Sequence, residues 1–384
     1  MSAISKRVLS VAQATLFAFA LGSATAATST ASAMSITDIA GRTVEVSDSP
    51  KAVILGEGRM MYSIAALQPD APFDGVLGWK DDMILYDPDA FRRFETAFPD
   101  DTQRLINFGN PYAGDFSVEK AVSSGADVLI LDLGNLYKAQ ESGVIDNLAK
   151  VGVPTVFIDF RVNATENTVP SLLILGRIFG EEEKALEFID YYLKGMRAVT
   201  NVVQTLPTDE RPLVFLENAA GWSPDFCCNT FGSFNYGRLI ELAGGRNWGS
   251  QKFEGYRSDV SLEAIIADEP DVIVGTGANW AEYNPEVKAV LLGYEADADT
   301  VSKRLSDLAD RPGFRDLDAV KNKRFHSIYH QFYNSPYHFV ALQALAKWIH
   351  PEEFPDLDPQ ATLEDLHEKF LPIEMGGQFW ATLD

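Results

Sequence analysis

Residues 117–130, SVEKAVSSGADVLI, and residues 261–274, SLEAIIADEPDVIV, carry one pattern twice. In each, a serine opens a stretch with helical apolar spacing, a short break follows, and an aspartate leads into an unbroken apolar run. An apolar run of four or five residues bounded by breakers fits a strand buried on both faces. Strands of that kind, alternating with helices, indicate a mainly parallel sheet covered on both sides. The echo therefore predicts an α/β protein of two equivalent lobes.

Upstream of the first copy, Ala52-Val53-Ile54-Leu55 reads as a strand running into Gly56-Glu57-Gly58, and Met60 to Leu67 as a helix. Phe73 to Gly78 reads as a second strand, and 42–46 alternates within a hairpin closed by Ser49-Pro50. After the first copy, the helix Val144 to Lys150 leads through Gly152-Val153-Pro154 into the strand Thr155 to Phe160. From Thr168 to about Val203 the apolar period becomes 3.6, with Gly180 before the acidic run 181–183 as a helix break. At 1.5 Å per residue, about 20–30 helical residues span a domain, which suits a rigid connector.

The second half repeats the order. Pro212 to Leu216 and Asp271 to Gly275 read as strands, and Phe234 to Leu242 and Leu262 to Ala267 as helices. Asn284 to Leu292 and the segment around Asp316 to Val320 read as short helices, Arg324 to Tyr329 as a strand, and Ser335 to Ile349 as a helix. The expected division is a signal peptide at 1–33, an N-terminal lobe at 34–165, a helical connector at 166–206, a C-terminal lobe at 207–350 and a helical tail packed on the lobes at 351–384.

Lys6 and Arg7 precede the apolar run Val8 to Leu21, and small residues lead to Ala31-Ser32-Ala33. This is a secretory signal with an A-x-A-like cleavage site near Ala33. Removing it leaves about 350 residues, enough for two cores. No later apolar stretch approaches the ~20 residues that cross a bilayer. The formal charge of −23 includes Lys6 and Arg7, so the exported chain is more acidic still and repels nucleic acid and anionic membranes. The only cysteines, Cys227 and Cys228, lie far from the cleavage site, so no lipid anchor is expected. The product is expected to be soluble in a periplasm, an oxidising compartment.

Thr37-Asp38 with Gly41 to Val46, Ser117 to Ile130, Ser261 to Val274, Phe231-Gly232-Ser233 with Leu239 to Gly245, Ala319 to Phe325 and Leu345 to Glu352 form an ordered set. It resembles the periplasmic substrate-binding proteins of ABC importers for iron–siderophore complexes, haem and cobalamin. The resemblance covers nearly all of the chain after residue 33. It implies two α/β lobes with a helical backbone, modest closure on a ligand, and docking onto a membrane permease driven by an ATPase. No catalytic role and no intrinsic cofactor follow from it, and a monomer is expected. The ligand read from it is an iron(III)–siderophore complex. Haem, cobalamin, another metal-chelator complex and molybdate or tungstate remain open.

Ligands of open α/β sheets bind beyond the carboxyl ends of the strands. That rule selects Arg59 and Tyr62, then Trp79, Lys80 and Tyr86, then Arg161 in the first lobe. In the second it selects Trp222, Trp280, Tyr329, His330 and Tyr333. Arginine offers a planar, multi-donor cation that stacks, and Trp and Tyr offer rigid contact area with a polar edge. Together they suit a bulky anionic chelate in a local positive pocket. All five histidines follow residue 325; His326 shares a strand with Ile328, and His330 and His338 are eight apart with Ser335-Pro336 between them, so no short helical metal-ligand spacing joins those two and direct binding of a bare metal is not expected. Cys227-Cys228 leaves three readings open: a vicinal disulfide, two buried thiols, or redox or metal chemistry. The chain has no G-x-S-x-G, P-loop or H-E-x-x-H. A cleft enzyme or metallocluster protein on the same scaffold is the remaining alternative.

Overall fold

Ser117 and Ser261 do the same work in the two halves, and so do the aspartates that follow them. The Ser117 hydroxyl accepts from the Lys120 backbone N–H at 3.2 Å, and the Ser261 hydroxyl from the Ala264 N–H at 3.2 Å. Each caps the first turn of the helix it precedes, Val118–Ser123 and Leu262–Asp268. Asp127 then accepts from the N–H groups of Lys51 and Ala52 at 2.6 and 3.0 Å, and Asp271 from that of Leu213 at 2.6 Å. Each aspartate ties the start of its own strand to the start of the neighbouring one.

The computed structural model describes residues 33–223 and 227–384. The export signal, apart from Ala33, lies outside the described residues. Strands are β1 (Ala33–Thr37), β2 (Thr43–Ser47), β3 (Val53–Leu55), β4 (Val76–Trp79), β5 (Ile106–Asn107), β6 (Val128–Asp132) and β7 (Thr155–Ile158) in the first half. The second half has β8 (Leu213–Glu217), β9 (Asn229–Phe231), β10 (Arg246–Asn247), β11 (Arg257–Asp259), β12 (Val272–Gly277), β13 (Phe325–Tyr329) and β14 (Trp380–Thr382).

The N-terminal lobe holds an all-parallel sheet ordered β5-β4-β3-β6-β7. The C-terminal lobe holds β10-β8-β12-β13, all parallel, with β14 antiparallel on the edge. The chain is thus a two-lobed α/β protein with mainly parallel sheets. Every residue of β3, β6, β7, β12 and β13 is buried, as strands covered by helices on both faces require. The hairpin β1–β2 is fastened to β7 through Asp38. Its carboxylate accepts from the Arg42 N–H and guanidinium and from the Phe157 N–H, while Arg42 donates to the Thr155 carbonyl at 2.7 Å.

Two helices, Ala164–Phe179 and Glu182–Val203, join the sheets. Gly180 ends the first with φ +74°, a left-handed cap that glycine adopts freely. The second packs on the helix His338–Ile349, where the Tyr192 hydroxyl and His338 Nε2 share a hydrogen bond of 2.9 Å.

Several segments differ from expectation. Asn284 to Leu292 is not helical. Its Val287 and Ala289 carbonyls accept from the Arg304 guanidinium at 2.9 and 3.0 Å, and the Lys288 N–H bonds Gly221, so the backbone groups are taken from outside. The helix that supplies Arg304, Ala298–Ala309, went unread, as did the helices Asp82–Tyr86, Pro88–Ala97 and Pro99–Arg104. The tail carries the helix Pro359–Phe370, and also β14, which extends the second sheet.

Candidate functional site

The carboxyl ends of β3, β8, β12 and β13 open on a cavity of about 520 Å³. Arg59, Tyr86, Trp222, Trp280, His330 and Tyr333, all selected from the sequence, line it. Their rings form a continuous wall with Tyr283. Going round it, the order is Tyr86, Tyr283, Trp222, Trp280, His330 and Tyr333, with successive centroids 4.4–6.0 Å apart. Arg59 closes the circuit, its guanidinium 5.5 Å from the Tyr86 ring and 5.7 Å from the Tyr333 ring. Both distances are within cation–π range.

Arg59 sits on the single 3-10 turn after β3 and is buried. Nε donates to Asp82 at 2.5 Å, and Nη1 donates to Gln331 Oε1 at 3.1 Å and to the Tyr333 hydroxyl oxygen at 2.9 Å. Asp82 also accepts from the Gly58 N–H at 2.6 Å, which holds the turn against the helix Asp82–Tyr86. Glu57 lies 3.7 Å from Arg59 Nη2 and pairs with Arg161 at 2.5 Å. Burial pushes the Glu57 carboxyl up, but the Arg161 and Arg59 guanidiniums outweigh it and bring it down to about 2. Arg59 is therefore an ion-paired donor that bridges the lobes, since Gln331 and Tyr333 belong to the second.

His330 lines the same wall. Its Nδ1 shares a hydrogen bond of 2.9 Å with Thr276 Oγ1, which in turn accepts from the Ala219 N–H at 2.7 Å. Burial, then the charge of Arg59, push its pKa well below the ordinary value, so the imidazole is neutral at neutral pH. A neutral ring can stack on a ligand or donate to it, but it adds no positive charge.

The structure does not bring the other five selected residues to this cavity. Trp79 is buried in the first lobe against Phe73 and Phe91, because its position in β4 turns it into the core. Tyr62 and Tyr329 are buried together, each hydroxyl donating to Asp87 Oδ2. Arg161 is engaged with Glu57, with Asp132 at 3.5 Å and with the Tyr333 ring at 5.3 Å. Lys80 is half-buried and is not among the lining residues.

Sequence reasoning missed Asn218, Asn229, Arg257 and Asp259, which also line the cavity. Asn229 and the last two lie on the ribbon β9–β11, two polar three-residue strands without a periodic signal. Glu217, the last residue of β8, could have been found by the strand-end rule. It is bound by Arg311 at 2.9 and 2.5 Å. Arg257 is exposed and forms no ion pair with the described residues. Cys227 and Cys228 are joined as a vicinal pair across a cis peptide bond, and Cys228 reaches the cavity.

Two lobes with mainly parallel sheets thus meet at a ring-lined cavity. The sequence matches the Periplasmic binding protein family over residues 88–330, and the chain belongs to that family. It is similar to the crystal structure of the TroA-like periplasmic binding protein FepB from Veillonella parvula. That match has a TM-score of 0.82 and 27% identity, over 91% of this chain and all of the other. The molybdate-binding protein MolA of Haemophilus influenzae is 23% identical over 253 residues. The match covers 60% of this chain and 64% of that relative's length. Its molybdate-bound structure shares the fold at a TM-score of 0.65 and 17% identity, over 88% of this chain and 97% of the other. A periplasmic haem-binding protein from Pseudomonas aeruginosa superposes at 0.52 with 18% identity, over 79% and 94% of the two chains.

Proposed function

We propose that this protein captures a ferric siderophore in the periplasm and delivers it to an ABC-type inner-membrane permease and its ATPase. The observation that carries the reading is the ring wall closed by Arg59 around about 520 Å³. That volume lies in the range of organic-ligand pockets. A tetrahedral oxyanion would occupy a small part of it and leave most rings without contact. Flat aryl or hydroxamate groups of an iron chelate suit faces and edges of Trp and Tyr. Arg257, without an ion pair to the described residues, is the cation that meets the chelate's negative charge. Export with removal of residues 1–33, a monomeric state and two lobes linked by the helical segment 166–206 belong to the same proposal.

The test is absorbance and native mass spectrometry of protein purified from periplasm, followed by calorimetric titration with ferric chelates. A bound species with a ligand-to-iron charge-transfer band supports the proposal. A Soret band, a cobalamin spectrum, or a colourless oxyanion seen only by mass overturns the siderophore assignment.

A further inference from the structure

Cys227 and Cys228 stand between two cavities. Cys228 is buried and lines the ring-walled one, whereas Cys227 lines a second cavity of about 320 Å³ with Lys288, Arg311 and Phe314. Glu217, buried at the end of β8, places a carboxylate oxygen so that it and both sulfurs lie within 4.8 Å of one another. We propose that the Cys227–Cys228 dithiol, once reduced, forms with Glu217 a binding site for a soft divalent cation. This goes beyond the chelate reading and does not rest on it.

Zinc-like cations take thiolate sulfur at about 2.3 Å and carboxylate oxygen at about 2.0–2.2 Å, so ligand atoms around one ion stand roughly 3.3–3.8 Å apart. Reduction frees the two sulfurs, bonded to each other in this structure, to separate to that spacing beside a Glu217 oxygen that already lies within 4.8 Å of both. Charge balance favours the loaded state. Two thiolates cancel a divalent cation, and Glu217 keeps its Arg311 partner, so the buried cluster gains no net charge. Arg311 in turn lies 4.1 Å from the Phe314 ring centroid and lines the second cavity with Cys227. Glu217 and Cys228 both line the ring-walled cavity, so a cation held there is reached from it. The chemistry balances with a dithiol reductant as its one co-reactant. A dithiol reductant supplies two electrons and two protons, the sulfur–sulfur bond breaks, and the reductant becomes its own disulfide. Metal binding then releases the two thiol protons to solvent.

The experiment uses the exported chain reduced with dithiothreitol, desalted under nitrogen and titrated with Cd²⁺. Binding is read by thiolate-to-cadmium absorption in the ultraviolet and by native mass. One Cd²⁺ per chain is expected for the reduced protein and none for the oxidised protein. Glu217→Gln should shift the midpoint to higher Cd²⁺ at unchanged absorption. Because that change also frees Arg311, the deciding comparison is Cys227→Ser/Cys228→Ser, which keeps the ion pair and should lose the absorption completely. Uptake by the reduced chain no greater than that of the double-serine variant overturns the proposal. So does a thiol titration showing the pair still oxidised in the folded protein after dithiothreitol.

Discussion

Arg59 shows how a cation at a cleft can serve the fold as much as the ligand. Its guanidinium is committed to Asp82, Gln331 and Tyr333, with Glu57 close by. Replacing it with alanine strands the Asp82 carboxylate, whose side chain is fully buried. Breaking such a pair typically costs about 3–5 kcal/mol. Arg59→Ala should therefore lower the urea midpoint by a corresponding amount whether or not ligand is present, and a loss below about 1 kcal/mol would contradict the ion-pair account. Trp222 has the opposite character. It is half-buried, with Trp280 and Tyr283 at 5.2 and 6.0 Å as its ring neighbours. Trp222→Ala should cut chelate affinity at least about tenfold, equivalent to ~1.4 kcal/mol, while leaving the unfolding midpoint nearly unchanged. Calorimetric titration beside thermal melts separates the two effects.

The paired helices Ala164–Phe179 and Glu182–Val203 depend on a close approach. A Cβ added at Gly176 would lie 2.8 Å from the Ala185 Cβ and 3.3 Å from the Glu181 carbonyl oxygen. Alanine is the better helix former by about 1 kcal/mol, but overpacking costs about 1–3 kcal/mol. The second term wins, so Gly176→Ala should destabilise the protein in a denaturant titration despite its favourable propensity. From sequence this glycine reads only as a weakness in the helical pattern. Its reason is the packing of the next helix against it, which apolar periodicity does not register. The failed helix at Asn284 to Leu292 makes the same point, because Arg304 satisfies its carbonyls from a separate element.

Between the lobes, Asp87 forms a buried clasp. The hydroxyls of Tyr62 and Tyr329, one from each lobe, both donate to its Oδ2. Burial raises the carboxyl from 3.8 to about 7, held back by those two hydrogen bonds. The folded state then keeps a proton that the unfolded chain releases between those values. The contribution is present below about pH 4 and is lost as pH rises toward 7, on the order of 4 kcal/mol in all. Asp132, also raised by burial to about 7, acts in the same direction. Glu57, lowered to about 2, acts oppositely and only below pH 4.5. Melting temperatures of Asp87→Asn across pH 4–7 should fall less steeply than those of the wild type. An unchanged slope would show the Asp87 carboxyl to be ionised in the native protein. A second link, at the surface, joins Arg92 to Asp89, Glu282 and Glu295. Glu282 and Glu295 are exposed, and the buried Asp89 also accepts from the Asn279 amide and the Glu295 N–H, so Arg92→Ala should weaken ligand binding by fivefold at most, and by less at 1 M salt.

The duplicated serine-to-aspartate pattern was enough to read the two α/β halves, because capping and strand pairing act over a few neighbours or between adjacent strands. Strand-end reasoning likewise located six of the cavity's residues, since the carboxyl ends of parallel strands always share one edge. It could not tell Trp222 from Trp79, or Arg257 from Arg59. Whether a ring faces ligand or core, and whether a cation is already paired, depends on groups such as Gln331, 272 positions from Arg59 in the chain. Those partners converge only when both lobes have packed, so the site's electrostatics belong to the folded body and have no local signature.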